Sequence, residues 1–270
     1  MASLIPLLKK AIFQITGNGF AQRLLERLVG ISQFCMGVGS GSGVESSGEK
    51  KVLDVLSLKY QPPYCIFDVG SNQGQHLQLV LRYFSKHDLR VHCFEPSSHS
   101  FKILEMRVDS EHKLKVKLNN VALGKERGER TLYYNNPGSG LASLTKRRLD
   151  HFGIDFGDSE TVRVDTLDNY CRENDIEKID LLKCDVEGHE LNVFFGASDM
   201  FRKQAIGIVT FEFGGCNIDT RSFFQDFYYF FKEVRMGIFR ITPSGYLFPI
   251  RSYREIFEQF RTTNFVAMKE

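Results

Sequence analysis

From residue 62 onward, short apolar runs alternate with helix-like segments along the whole chain. "YCIFDVG", "RVHCFEP", "KLKVKLNNVALG", "KIDLLKCDVEG" and "AIGIVTFEF" read as strands. Between them, "QGQHLQLVLRYFSK", "SSHSFKILEMRVDS", "HELNVFFGASDMFRK" and "TRSFFQDFYYFFKEV" read as helices. Continuous apolar runs mark strands buried on both faces. Their alternation with helices predicts an α/β fold, a mostly parallel sheet covered by helices on both sides. Ligands on such sheets bind at the carboxyl ends of the strands. "GERTLYYN" reads as a further hairpin-like strand and "TVRVDTLDNYCREN" as a strand followed by a helix. In the tail, "MGIFRI" and "TNFVAMK" are expected as strands, with "SYREIFEQF" helical between them. "FFQDFYYFF", residues 223–231, has the spacing of a packed helix.

Residues 51–270 therefore form the main domain, and residues 1–50 an N-terminal helical extension with a linker. Leu4, Leu8, Ile12 and Ile15, then Leu24, Leu28 and Ile31, are spaced as on helices, separated at Gly17 and Gly19. The expected role is a cap packed on the main domain. The alternative is a membrane-surface helix or a dimer contact, since Lys9, Lys10, Arg23 and Arg27 make the segment basic. "MGVGSGSGVESSGEK", residues 36–50, reads as a flexible linker. It imitates a phosphate-binding loop, but no strand precedes it and Glu49 separates Gly48 from Lys50.

The formal net charge of the 270 residues is +2, without a long basic run, so nucleic acid is not expected as a partner. None of the six cysteines forms a CxxC pair, which suggests buried free thiols in a reducing compartment. No signal-peptide pattern and no run of about 18 apolar residues is present, which suggests a cytoplasmic protein without an integral membrane segment.

"DVGSNQG" follows the first strand. Gly70 and Gly74 allow close backbone approach to a ligand. Their spacing is not GxGxxG, which weighs against a nicotinamide dehydrogenase. The turn is poorer in glycine than a pyrophosphate cradle, and Asp68 stands at its entry. An acid there suits an amino group or hydroxyls better than an anion. Glu95, in "FEP", lies about 25 residues further on, where an acid accepts hydrogen bonds from ribose hydroxyls. An adenosine-containing cation fits both positions, and S-adenosylmethionine is one.

"FDVGSNQG", "FEP", "NNVALG", "VDTLD" and "LLKCDVEGHELNVFFGA" together resemble the FkbM-type S-adenosylmethionine-dependent methyltransferases over roughly residues 60–240. "KxDVEGxE" is the most specific element, and "MGVGSGSGVESSGE" resembles the leader of some members. The resemblance implies a Rossmann-like class I methyltransferase sheet of seven strands, the last antiparallel. It implies methyl transfer, commonly to oxygen on sugars, polyketides or related natural products. By position, Asp68, Gly70, Ser71, Asn72 and Gly74 match the cofactor turn, and Glu95 the ribose acid. Asn120, Val121 and Ala122 match the region flanking the adenine, and Asp185 and Glu187 the acidic pair after the fourth strand.

Asp185 and Glu187 are two apart, so on extended chain they point to one side. With His189 and Glu212 they are the candidate catalytic groups. An alcohol nucleophile needs a base within hydrogen-bond reach. His189 has the better ordinary pKa, and Asp185 or Glu187 would serve if burial raised theirs. A divalent cation on Asp185, Glu187 and Glu212 is an alternative activator, although the spacing does not mark a metal site. Glu212 and His189 also have plain structural explanations, a loop-bonding acid and a helix-terminal surface residue.

Residues 136–148, "NPGSGLASLTKRR", are expected to cover the site or to serve as a plain connection. The expected activity is O-methylation of a sugar, glycan or small natural product. N-methylation and a non-catalytic binding scaffold are the alternatives. The [DN]PP[YF] element of DNA amino-methylating enzymes is missing, since "CDVEG" stands in its place.

Overall fold

The computed structural model describes residues 12–41 and 48–269. Among them, α1 (Gly19–Met36) and α2 (Glu49–Lys59) precede the sheet. The chain continues β1 (Tyr64–Val69), α3 (Gln75–Tyr83), β2 (Leu89–Phe94), α4 (Ser98–Arg107) and β3 (Val116–Asn119). Then follow β4 (Ala122–Leu123), β5 (Gly128–Tyr134), β6 (Asp158–Asp165), α5 (Leu167–Glu173), β7 (Ile179–Cys184), α6 (Glu190–Phe195) and α7 (Ser198–Arg202). The last part holds β8 (Ile206–Phe213), α8 (Cys216–Thr220), α9 (Phe224–Glu233), β9 (Gly237–Ile241), β10 (Leu247–Ile250) and β11 (Thr263–Met268).

The main sheet has the order β10-β9-β11-β8-β7-β1-β2-β3. Strands β8, β7, β1, β2 and β3 are mutually parallel, and β11 runs antiparallel between β8 and β9. The expected α/β architecture of seven strands is there, and β10 adds an eighth on β9. Pro249 sits in β10, which pairs only with β9, and an edge tolerates its missing N–H. "SYREIFEQF", expected as a helix, keeps only a 3₁₀ turn at Glu255–Phe257.

The expected third strand also divides. Asn119 Nδ2 donates to the Cys93 carbonyl at 2.9 Å, and Asn120 Nδ2 to the Glu95 carbonyl at 2.8 Å. Such side-chain amides compete with the ladder and turn the chain. Residues after the turn join a separate sheet, β4-β6-β5.

Each face of the main sheet carries its own core. Phe67, Phe94, Phe194, Phe211, Phe227 and Phe231 pack on one side, with Phe211 and Phe227 stacked 4.9 Å apart. Leu53, Leu56, Ile66, Leu77, Val80 and Phe84 pack on the other. The 223–231 segment is thus a core helix, with Phe224, Phe227 and Phe231 buried. Four of the six cysteines are buried, whereas Cys35 is exposed.

Helix α1 of the N-terminal extension departs from a packed cap. Asn18 caps α1 by accepting from the Phe20 and Ala21 amides, but no α1 residue is buried. Phe20, Leu24, Leu28 and Ile31 are exposed. Among the described residues the end of α1 is tethered: Gln33 bonds Gln259, and the Gly39 and Gly41 amides donate to the Thr262 carbonyl at 3.0 and 3.1 Å. The readings placed on Leu4, Leu8, Lys9 and Lys10, and on residues 42–47 of the glycine-rich linker, lie outside the described residues. Among the described residues, no helix is long and apolar enough to cross a membrane.

The chain runs outward through β1, β2 and β3, then returns to the other side of β1 as β7. This switch opens a crevice at the carboxyl ends of β1 and β7, where such sheets bind ligands.

Candidate active site

At the end of β1 the chain turns sharply. Gly70 has φ +79°, and a Cβ there would collide with the Asp185 carbonyl oxygen. Two strand-end turns meet at that point, which only glycine permits. Ser71 Oγ closes the turn on the Asp68 carbonyl at 2.7 Å. Asn72, at φ +47°, donates its amide to Glu95 Oε2 at 2.8 Å, and the Ser97 amide donates to Oε1 at 2.8 Å. Burial pushes Glu95 up to about 7 against these two donors.

A narrow cleft of about 90 Å³ opens here, lined by Gly70, Asn72, Glu95, Val121, Ala122, Asp185, Glu187 and His189. Phe94, Leu123, Leu132 and Leu144 supply apolar wall. Asp68, Ser71, Gly74 and Asn120, expected at the cofactor turn and the adenine flank, do not line it and instead build its frame. Asn120 fixes the Glu95–Pro96 turn from outside. Asp68 is fully buried, with Lys183 Nζ 3.4 Å and His76 Nδ1 3.6 Å from its Oδ1. Burial raises Asp68, but Lys183 and His76 outweigh it and hold it at about 2.

Lys183 was not among the expected site residues. Its Nζ also reaches Asp185 Oδ2 at 3.4 Å and the Gly70 carbonyl at 3.3 Å, tying the ends of β1 and β7 together. A lysine inside the apolar "DLLKCD" is the signal that marks it.

The second turn follows β7. Glu190 is fully buried, and its Oε1 accepts the Val186 and Gly188 amides at 3.0 and 3.2 Å. Burial raises Glu190 to about 7. Glu190 therefore shapes the turn that presents Asp185 and Glu187. Glu187 itself sits at φ +52°, a left-handed conformation few side chains adopt. Burial and the Asp185 charge hold its carboxyl above the usual range, against the pull of Arg147.

A larger cavity of about 770 Å³ adjoins the cleft, lined by Asp185, Glu187, Glu212, Arg147, Arg148, His151, Asp219, Phe260 and Arg261 among others. Gly140, Asp185 and Glu187 line both spaces. Glu212, at the end of β8, faces only the larger one, and burial with the charges of Asp185, Glu187 and Glu190 pushes it well up. His189 lines only the narrow one; its Nδ1 lies 2.9 Å from Asn192 Nδ2 and its Nε2 2.9 Å from Thr145 Oγ1. With the amide donating, Nδ1 accepts and Nε2–H points to Thr145. Burial lowers His189 to about 4, so the ordinary pKa that favoured it as base does not apply. Among the described residues, no group of three His, Cys, Asp or Glu side chains is arranged to hold a metal ion.

The loop over both spaces also carries residues the sequence did not single out as partners of the acids. Arg147 Nη1 lies 2.5 Å from Glu187 Oε2, and its Nε 3.7 Å from Asp219 Oδ2.

A relative named 2-O-methyltransferase NoeI, from Sinorhizobium fredii (strain NBRC 101917 / NGR234), is 25% identical over 185 residues, covering 65% of this chain and 74% of the relative. A crystal structure titled methyltransferase FkbM, from Methylobacillus flagellatus KT, is 14% identical with a TM-score of 0.45 over 77% of this chain. The chain spans only 44% of that structure's length. A putative methyltransferase from Streptococcus mutans, in complex with SAH, is 8% identical with a TM-score of 0.45 over 83% of this chain and 98% of its own. The family model described as methyltransferase FkbM domain matches residues 68–240, from the buried acid of β1 to the arginine of β9. With that match over most of the chain, the protein belongs to the FkbM methyltransferase family and is an S-adenosylmethionine-dependent methyltransferase.

Proposed function

We propose that the protein binds S-adenosylmethionine in the narrow cleft and transfers its methyl group to a hydroxyl of a sugar, glycan or related natural product in the larger cavity. One observation carries this reading: Asp185 and Glu187 stand on the wall common to both spaces. A methyl donor on one side and a hydroxyl on the other would meet at these carboxylates.

The cleft suits the cofactor's chemistry. Asn72 Oδ1 is buried and has no partner among the described residues, an acceptor open to a cationic or hydroxyl donor. Glu95 stands at the end of β2 for the ribose, and Val121, Leu123 and Phe94 offer apolar surface for the adenine. When bound, S-adenosylmethionine supplies an electrophilic methyl. The chain then has to position the acceptor and take its proton. Glu187 is the better base, because its raised pKa makes it a stronger proton acceptor near neutrality than an ordinary carboxylate. Asp185 shares its wall and orients the acceptor. Glu212 faces the acceptor space from the next strand.

The relative's printed activity, 2-O-methyl transfer, supports oxygen as the acceptor atom. The test is methyl transfer from labelled S-adenosylmethionine to a panel of glycosides and amino sugars. Label on a hydroxyl supports the proposal; label only on amines would replace it with N-methylation, and no transfer by cofactor-bound protein would favour a binding module. The exposed apolar residues of α1 support peripheral contact with a lipid surface, checked by flotation with phospholipid vesicles.

A further inference from the structure

We propose that Arg147 is a positioning residue: it latches the loop of residues 135–149 over the cleft and holds the Glu187 carboxylate toward the acceptor cavity. The latch stands on geometry alone; its link to cofactor release rests on the function proposed above.

The loop leaves β5 and returns to β6 across the mouth of the crevice. Gly140, Ser143 and Leu144 form its inner wall on the narrow cleft. Leu141 and Arg147 form its outer wall on the larger cavity. At about 90 Å³ the cleft falls below the roughly 300–1,000 Å³ typical of sites for ligands of cofactor size. Its other walls are strand ends and buried turns, so the loop is the wall that must give way for entry.

Three of its own side chains clasp it down, and Gln73 Nε2 donates to its Gly138 carbonyl at 3.4 Å. Ser143 Oγ donates to the Glu187 carbonyl at 2.8 Å, and Thr145 Oγ1 meets His189 Nε2 at 2.9 Å. The third is Arg147, whose side chain is only 8% exposed and lies between Glu187 and Asp219. The Arg148 amide adds a bond to Asp219 Oδ1 at 3.3 Å. The first two clasps are neutral hydrogen bonds. Arg147 is the charged one, and the only one that touches the Glu187 carboxylate itself. Closing the loop therefore places a guanidinium on an acid that Asp185 and burial would otherwise drive toward its protonated form. One motion seals the cleft and shifts Glu187 toward its ionised form.

The test is hydrogen exchange of the full chain, read at residues 135–149, with the kinetics of S-adenosylhomocysteine release. Arg147→Gln is expected to speed exchange of this loop by about tenfold or more, as loss of a largely buried charged clasp frees a local segment. Arg147→Lys is expected to recover part of the protection. Asp219→Asn loosens the same latch without touching Glu187, and decides the matter if Arg147→Gln fails to fold. Release of bound S-adenosylhomocysteine is expected to quicken in the same order. Wild-type exchange rates in both Arg147→Gln and Asp219→Asn would overturn the latch. So would equal exchange in Arg147→Lys and Arg147→Gln, since charge would then be irrelevant. Failure of the folded wild type to bind S-adenosylhomocysteine would refute the proposed function, while the exchange data still judge the latch.

Discussion

Lys183 Nζ lies 3.4 Å from Asp68 Oδ1, and this pair joins the ends of the two central strands inside the sheet. Asp68 has no solvent exposure, so its charge depends on Lys183 and His76. Removing one partner of a buried pair leaves the other uncompensated, at a cost of about 3–5 kcal/mol. Lys183→Met is therefore expected to lower the thermal midpoint by about 10 °C in a chain of this size. Lys183→Met combined with Asp68→Asn should recover much of the loss, and scanning calorimetry checks both. Because Asp68 is held down at about 2, its contribution is present above the ordinary carboxylate range and is lost as pH falls toward 2.

Gly70→Ala is expected to destabilise the protein and to weaken the cofactor site together. The new Cβ would enter the Asp185 carbonyl while φ stays at +79°. Strain of this kind costs about 1–3 kcal/mol before the clash is counted. Thermal unfolding and S-adenosylhomocysteine titration of the variant read the two effects. A variant normal in both would mean that the two turns do not meet at Gly70.

Glu190 offers a clean pH test. Its folded pKa is raised to about 7 from 4.5, so the stability it contributes is complete below about 4.5 and lost as pH rises through about 7. Glu190→Gln keeps an oxygen for the Val186 and Gly188 amides and cannot ionise. Relative to wild type, the variant should gain stability as pH rises from 4 to 8, by up to about 3 kcal/mol. Midpoints measured across that interval decide it; parallel curves would mean Glu190 ionises as freely in the fold as in water.

Once an acceptor is known, Glu187→Gln should lower the methyl-transfer rate about 10²- to 10⁴-fold, the usual worth of a positioned base. S-adenosylhomocysteine affinity should change far less. The wild-type rate should climb as pH rises across neutrality, since the raised Glu187 pKa delays formation of its basic form. A flat profile from pH 5 upward would assign the base to an unperturbed carboxylate.

Much of this was legible in the sequence because it rests on local patterns. The apolar runs of β1, β2, β7 and β8 marked the parallel core, and "DVGSNQG", "FEP" and "CDVEG" marked its strand ends. Several features were hidden because they depend on distant partners. Asn119 and Asn120 divert the third strand through bonds to residues of the second, which no window around them reveals. α1 carries apolar residues at helical spacing, the same signature a packed helix would have, yet no residue of it is buried. His189 looked suited to base work from its ordinary pKa; only its burial and its contacts with Asn192 and Thr145 alter that. Arg147 stood in a run of three basic residues, and nothing local distinguishes it from its exposed neighbours Lys146 and Arg148.

The most direct measurement is calorimetric titration of the purified protein with S-adenosylhomocysteine, alongside Glu95→Ala. The proposed function predicts binding by the wild type, weakened in Glu95→Ala by about tenfold or more, equivalent to roughly 1.4 kcal/mol or more for lost hydrogen bonds to the carboxyl. Unchanged binding in a folded Glu95→Ala variant would contradict the placement of the cofactor at the end of β2, and absence of binding by the folded wild type would contradict the cofactor site altogether.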